Sequence, residues 1–540
     1  MNPPRLDRPI PPWLLLLMAL VLWGGEYIRR DLWEPDEARF ALVAREAREA
    51  GHRFILYRQG EPYTHKPPLF FWLVNSAINL GMPERIASRS PSFLGALMAL
   101  WAMTRLAARW HGPATSWWVA LLMPTSYLFW NKGGFGQIDM LLCGLELMGL
   151  YFLFTAPHPC PLPEGEGDQQ VPWRHIAAYM CFGLAILAKG PVGLLVPLAV
   201  FAAASWAAGE RAQLRGWHWL WGPLVSLLFP AAWLAGAWWS GATGEFFNEL
   251  LFKQNIGRAA GMYDHLQPWY YFLLYFPLDF LPWTALLPVA WRALGRDAHT
   301  RRERARLLAW IVAVIVLFSL SRSKRNLYIL LAYPAAALLV AASIRAWAAA
   351  PTAWLTGTRV ALLCFAGVLA AGLLAAPFIP AAHLPLWAAC PPAAALIAGA
   401  WWVLIGDRHL TARALAGLAI AVFAVFTWIG AWIAPEFNDE KTPVEVVPVA
   451  QRILQPGEFI IFYRLQGEII SLHAKRPGRM ADNEQELRAL IAKQPRHLIV
   501  TAASRLADVQ AIVGADATVG RFHYGSKQQA WVALEPPAGG

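Results

Sequence analysis

Long apolar stretches dominate this chain. They run at roughly 13–28, 86–107, 114–131, 138–156, 174–188, 190–207, 217–239, 268–291, 306–321, 325–347, 359–379, 384–405 and 411–434. A helix of about 20 apolar residues crosses the hydrocarbon layer of a bilayer, so each run predicts a transmembrane helix, about thirteen in all. The two runs flanking Lys189 also fit one broken helix. After Pro435 the pattern changes to short alternating segments. Glu458–Tyr463 and Arg496–Val500 read as strands, and Glu484–Lys493 reads as a helix between them. The expected fold is therefore mainly α: a polytopic membrane domain over 1–434 and a small α/β domain over 435–540.

Two polar interruptions stand out. The loop over 29–85 is long for a membrane connection, and within it Ala38–Ala50 has the pattern of an amphipathic interfacial helix. Arg39, Arg45, Glu46, Arg48 and Glu49 lie on its polar side. The Pro/Gly-rich stretch beginning at Pro157 predicts a flexible cytoplasmic insert over 157–173 that carries no chemistry.

Composition agrees with the pattern. Of 540 residues, 57% are hydrophobic, 29 are tryptophan and only 15% are charged, against roughly 25% charged in soluble chains. The net charge of +11 does not indicate nucleic acid, because the basic residues sit in short loops where Lys and Arg set topology. With the N-terminus inside, the cytoplasmic loops hold Arg105 and Arg109, Arg211 and Arg215, six arginines between Arg292 and Arg306, Arg345 and Arg359, and Arg408 and Arg413. The first loop, the 240–267 loop and the C-terminal domain then face outside. Five scattered cysteines show no CxxC or zinc-finger spacing and read as free thiols. The first helix lacks a small-residue cleavage site and reads as a retained span.

The candidate chemistry lies on the outer side. Asp36 and Glu37 follow the first span, and His65-Lys66-Pro67-Pro68 follow some thirty residues later. Charges near lipid are costly unless they line a cavity or do chemistry. Asp36 fits two roles: a helix cap, or a carboxylate that orients an acceptor or takes its proton. The two prolines after Lys66 fix its backbone and hold an ammonium that suits a phosphate. Asp139 opens the fourth run as a second candidate acid. Lys189 sits between two apolar halves, where a broken helix can present charge to a cavity. Lys189 and Ser321-Arg322-Ser-Lys324-Arg-Asn-Leu-Tyr328 break the positive-inside pattern; anion binding and headgroup snorkelling both account for that. His65 and His265 are candidate ligands of a divalent metal, although two ligands do not close a site.

Asp36-Glu37, His65-Lys-Pro-Pro68 with Phe71-Trp72, Asp139, Ala188-Lys-Gly190 and Lys324-Arg-Asn-Leu-Tyr-Ile329 with Pro334 resemble, in order and spacing, the bacterial polyprenyl-phosphate-dependent glycosyltransferases of the GT-C architecture. That superfamily includes the lipid A aminoarabinose transferases and the protein O-mannosyltransferases, and the resemblance covers roughly 1–350. It implies an inner-membrane enzyme whose active site and C-terminal domain face the periplasm. Its donor would be a sugar on undecaprenyl phosphate, its acceptor lipid A or another envelope lipid or protein. By the same resemblance Asp36, Glu37 and Asp139 are the catalytic acids. Lys66, Lys189, Arg322, Lys324 and Tyr328 contact the lipid phosphate, and Arg58, Arg258 and His265 line the cavity. Aminoarabinose transferases carry an acid just before the loop lysine, where this chain has His65. A transporter or flippase of lipid-linked sugars is the rival class, but the second half repeats neither the Asp-Glu nor the His-Lys-Pro-Pro motif, as related transporter halves would.

Overall fold

The computed structural model describes residues 7–156, 173–257, 266–295, 298–349, 353–379, 384–405, 411–443, 445–514, 517–524 and 527–534. The insert expected at 157–173 falls, but for Trp173, outside the described residues, as do Arg258 and His265. The chain divides into two compact units. The first comprises Met1–Ile28, His65–Phe70 and Arg89–Ile433; the second comprises Arg29–Thr64, Phe71–Ser88 and Ala434–Gly540.

The first unit is helical. Every apolar run of the sequence lies on helix, but not every run is one straight helix. Among the described residues, seven helices are individually long and apolar enough to span a bilayer, and an eighth is counted if the bent pair Tyr271–Asp279 and Trp283–Ala293 is one span. That pair turns by 99°. The run at 114–131 is likewise broken, into Pro113–Leu122 and Tyr127–Gly134. The helix His218–Trp239 carries its lipid signature openly. Its 22 residues extend roughly 33 Å, with Trp217 80% exposed at one end and Trp239 85% exposed at the other. Tryptophans at both ends of an apolar helix suit the two interfacial layers of a membrane.

Inside the unit, side chains and backbones pack closely. A Cβ on Gly95 would come within 2.3 Å of the Met140 carbonyl oxygen, and one on Gly144 equally close to the Gly95 oxygen. Glycine thus lets the helices Ser90–His111 and Ile138–Thr155 touch backbone to backbone. Trp23, Trp283 and Trp310 are fully buried. Each satisfies its indole N–H, to the Trp130 carbonyl at 2.9 Å, the Thr125 hydroxyl at 3.0 Å and the Leu331 carbonyl at 3.0 Å. A buried indole without such a partner would be costly.

The second unit holds a five-stranded sheet. Gly478–Ala481, Ile460–Tyr463 and His497–Ala502 run parallel in that order; Lys527–Leu534 and Thr518–Tyr524 follow antiparallel. The expected strands and helix at 458–500 are thus present, the helix as Glu484–Ile491. The polar-sided helix expected at Ala38–Ala50 spans Asp36–Glu49. Its apolar side, Ala38, Ala41 and Leu42, together with Leu32 just before it, joins one buried cluster with Val446, Ala450, Ile470, Val500 and Phe522. The first loop therefore contributes to the core of the C-terminal unit.

Candidate active site

In the first unit, Asp139, Lys189 and Tyr328 come together from three elements. Asp139 lies in the first turn of Ile138–Thr155. Lys189 is the last residue of Trp173–Lys189, which Gly190 ends at φ +96° before Pro191 begins the next segment. Glycine takes that left-handed conformation without strain, and proline cannot continue the helix. An acid at a helix N-terminus and a cation at a helix C-terminus each sit favourably against the helix dipole. The Lys189 ammonium donates to the Asp139 carboxylate and lies 4.5 Å from the centre of the Tyr328 ring. Tyr328 sits on the short 3-10 turn Asn326–Ile329, its ring 5.7 Å from that of Phe318. Glu146, two turns beyond Asp139, is buried, with Lys189 and Asp139 as its charged neighbours. Its signal in the sequence is a lone acid seven residues after Asp139 within an apolar run.

Lys66 and His65 are half-buried in the short segment of this unit just before the helix Leu69–Asn79. Lys324 is buried. Its ammonium donates to the Gln267 carbonyl at 3.1 Å and to the Ser321 carbonyl, so it ties its own turn down. Two backbone oxygens thus take two of the ammonium's three donors. Arg322 is exposed beside it.

The second unit holds the other group. Asp36 is the first residue of its helix; the preceding position is Pro35, which has no capping side chain. The capping role weighed for Asp36 is therefore not the one it takes. Arg39 lies one turn on, 3.9 Å from Asp36 and 3.2 Å from Glu468. Arg58 reaches the same Glu468 at 3.6 Å and stacks over Tyr63. Burial opposes the charge on Arg39, but Glu468, Tyr63 and Asp36 outweigh it and raise the guanidinium's pKa. Glu468 is buried and belongs to the C-terminal residues; no local motif in the sequence announces it.

Glu37 is placed quite differently from its neighbour. Its carboxylate takes two bonds from Arg30, at 2.7 and 3.0 Å, and a third from the Trp33 backbone N–H at 3.1 Å. Both side chains of the pair are 0% exposed. A carboxylate so fully engaged is scaffold; the expectation of a catalytic Glu37 gives way to this bond count, leaving Asp36 as the catalytic candidate of the two. Among the described residues no three His, Cys, Asp or Glu side chains cluster as a metal site, and the His65–His265 pairing lies partly outside them.

The chain resembles known proteins along most of its length. Residues 65–235 match the family model of dolichyl-phosphate-mannose-protein mannosyltransferase. An undecaprenyl phosphate-alpha-4-amino-4-deoxy-L-arabinose arabinosyl transferase of Aeromonas salmonicida is 27% identical over 83% of this chain and 82% of its own length. The protein of the same name from Enterobacter sp. is 25% identical over 86% of each. The fold is that of ArnT from Cupriavidus metallidurans, solved bound to undecaprenyl phosphate: TM-score 0.76 at 22% identity, covering 96% of this chain and 97% of that one. The chain is thus a multi-pass helical membrane protein with the fold of ArnT, similar along more than four fifths of its length to the undecaprenyl-phosphate-dependent arabinosyl transferases.

Proposed function

We propose that this enzyme moves an aminoarabinose-type sugar from undecaprenyl phosphate to lipid A, on the periplasmic side of the inner membrane. The observation that carries the reading is the Asp139–Lys189–Tyr328 group: an ammonium held on one side by a carboxylate and on another by an aromatic face. Lys189 is fixed before any ligand arrives, so its remaining donors are aimed without further loss of side-chain freedom. The relatives named as aminoarabinose transferases, which this chain parallels over more than four fifths of its length, support the donor class.

In this reaction the acceptor oxygen attacks the anomeric carbon from the face opposite the lipid phosphate. The bond between that carbon and the carrier oxygen breaks, and its electron pair stays on undecaprenyl phosphate, so the anomeric configuration inverts. Lys66, Lys189 and Tyr328 stabilise the negative charge that builds on the leaving phosphate. They contribute most in the transition state, where the charge is developing. A lipid A phosphate arrives as an anion and needs no base, so Asp36 orients it and stabilises the oxocarbenium-like carbon. With a hydroxyl acceptor the same carboxylate takes the proton.

The test is mass spectrometry of lipid A from cells with and without the gene. A mass increment equal to one aminopentose, lost on deletion and restored by the intact gene but not by Asp36→Asn, supports the reading. An unchanged lipid A pool overturns it. If lipid-linked sugar is instead stranded on the inner leaflet, the flippase reading takes its place.

A further inference from the structure

The carboxylate of Asp279 has no part in the chemistry above, yet it is only 4% exposed at the end of the helix Tyr271–Asp279. A buried carboxylate persists when its neighbours satisfy it. Two do so here. The Asn326 side-chain amide donates to one oxygen at 3.3 Å, and the Tyr333 hydroxyl donates to the other at 3.4 Å. Asn326 begins the 3-10 turn Asn326–Ile329 that carries Tyr328, and Tyr333 lies just inside the following helix, Ala332–Ala349. Tyr333 is fully buried between stacked rings, 5.3 Å from Phe276 on the helix that ends in Asp279 and 6.1 Å from Phe280 just beyond that end. Asp279 thus grips both ends of the short stretch from which the Tyr328 ring projects under Lys189.

We propose that Asp279 is a positioning residue for the donor-phosphate site, holding Tyr328 and through it Lys189 in place by way of Asn326 and Tyr333. This rests on the reading of Tyr328 and Lys189 as phosphate contacts. Asp279 touches neither substrate nor Lys189. Its role is to fix the turn from behind, and the Asn-Leu-Tyr order of the motif then has a purpose: Asn326 is the handle and Tyr328 the tool. A displacement of about 1 Å at a catalytic group is enough to cost on the order of a hundredfold in rate.

The hydrogen-bond polarity makes a reciprocal test available. Asn326→Asp sets two carboxylates against each other across 3.3 Å and should raise the KM for the undecaprenyl-phosphate donor by roughly tenfold or more. The acceptor KM and the yield of folded protein in detergent should stay near wild type. Adding Asp279→Asn restores a donor facing a carboxylate, with the charge moved to position 326, and should bring the donor KM back to within about threefold of wild type. A double variant as impaired as Asn326→Asp, or donor and acceptor KM rising together in the single variant, overturns the positioning role. Lys189→Met serves as the control for the underlying reading. If it leaves the donor KM unchanged, the phosphate-site assignment itself fails; if it raises the donor KM while Asn326→Asp does not, only the role of Asp279 fails.

Discussion

The Lys189 ammonium stands 4.5 Å from the centre of the Tyr328 ring while it donates to Asp139. The tyrosine therefore has two separable parts, a ring face that supports the cation and a hydroxyl that meets the donor phosphate on the proposed reading. Replacing it twice separates them. Tyr328→Phe keeps the face and removes one hydrogen bond to a charged phosphate, an effect of about 1.5–3 kcal/mol, or roughly 10- to 150-fold in transfer from the lipid donor. Tyr328→Leu removes the face as well and adds about 0.5–2 kcal/mol. Steady-state transfer measured for both variants gives the order wild type, Phe, Leu; equal activities for Phe and wild type would remove the hydroxyl from the phosphate site.

Asp36 and Glu37 are adjacent acids with opposite expected phenotypes. Asp36→Asn should abolish transfer with a melting temperature close to wild type. Glu37→Gln removes the carboxylate to which the buried Arg30 guanidinium donates twice, at a cost of about 3–5 kcal/mol. Its loss of activity should follow its loss of folded protein. Thermal melts in detergent alongside transfer assays check the contrast, and the reverse pattern would exchange the two roles.

Acidification should weaken the second unit through two histidines. Burial lowers the pKa of His473 from its usual 6.5, and burial also lowers that of His497. Nε2 of His473 and Nδ1 of His497 are buried without partners among the described residues. A lowered histidine pKa means that the unfolded chain takes up a proton first. Stability is complete above about pH 6.5 and falls as pH drops below it, levelling off once the folded state also protonates. Replacing both residues by glutamine should flatten the melting temperature of the full enzyme between pH 7 and pH 5. A slope as steep as wild type would exclude them as the source.

The glycine contact between Ser90–His111 and Ile138–Thr155 offers a mechanical test. Gly144→Val would place side-chain carbon against the Gly95 backbone, where a Cβ alone already lies 2.3 Å from an oxygen. Overpacking of this kind costs about 1–3 kcal/mol, and here it also shifts the helix whose first turn holds Asp139. Reduced thermal stability together with reduced transfer is expected. Wild-type behaviour in both would show that the two backbones part without consequence.

Much of this was legible in the sequence because lipid imposes a simple rule: backbone groups in hydrocarbon must be satisfied internally, so apolar runs become helices. Length alone does not tell whether a run stays straight, and the breaks at 123–126 and 280–282 depend on packing. Asp139, Lys189 and Tyr328 carried their signals as charges and aromatics in the wrong places. Glu37 did not, since nothing local distinguishes it from Asp36; only Arg30, seven residues back on another segment, decides its fate. The partners of Lys324 were likewise hidden, because carbonyl oxygens leave no trace in residue type. Glu468 lies more than four hundred residues from the arginines it serves, beyond the reach of any periodicity.

The apolar side of the helix at Asp36–Glu49 is covered by residues from Val446 onward. A ribosome finishes that helix long before it makes its cover. For most of the time the chain is being synthesised, Leu32, Ala38, Ala41 and Leu42 must wait uncovered or borrow shelter from lipid or a chaperone. The first loop is thus assembled last although it is made first, and a protein cut short before its final hundred residues would keep every span yet leave Asp36 on an unsupported helix.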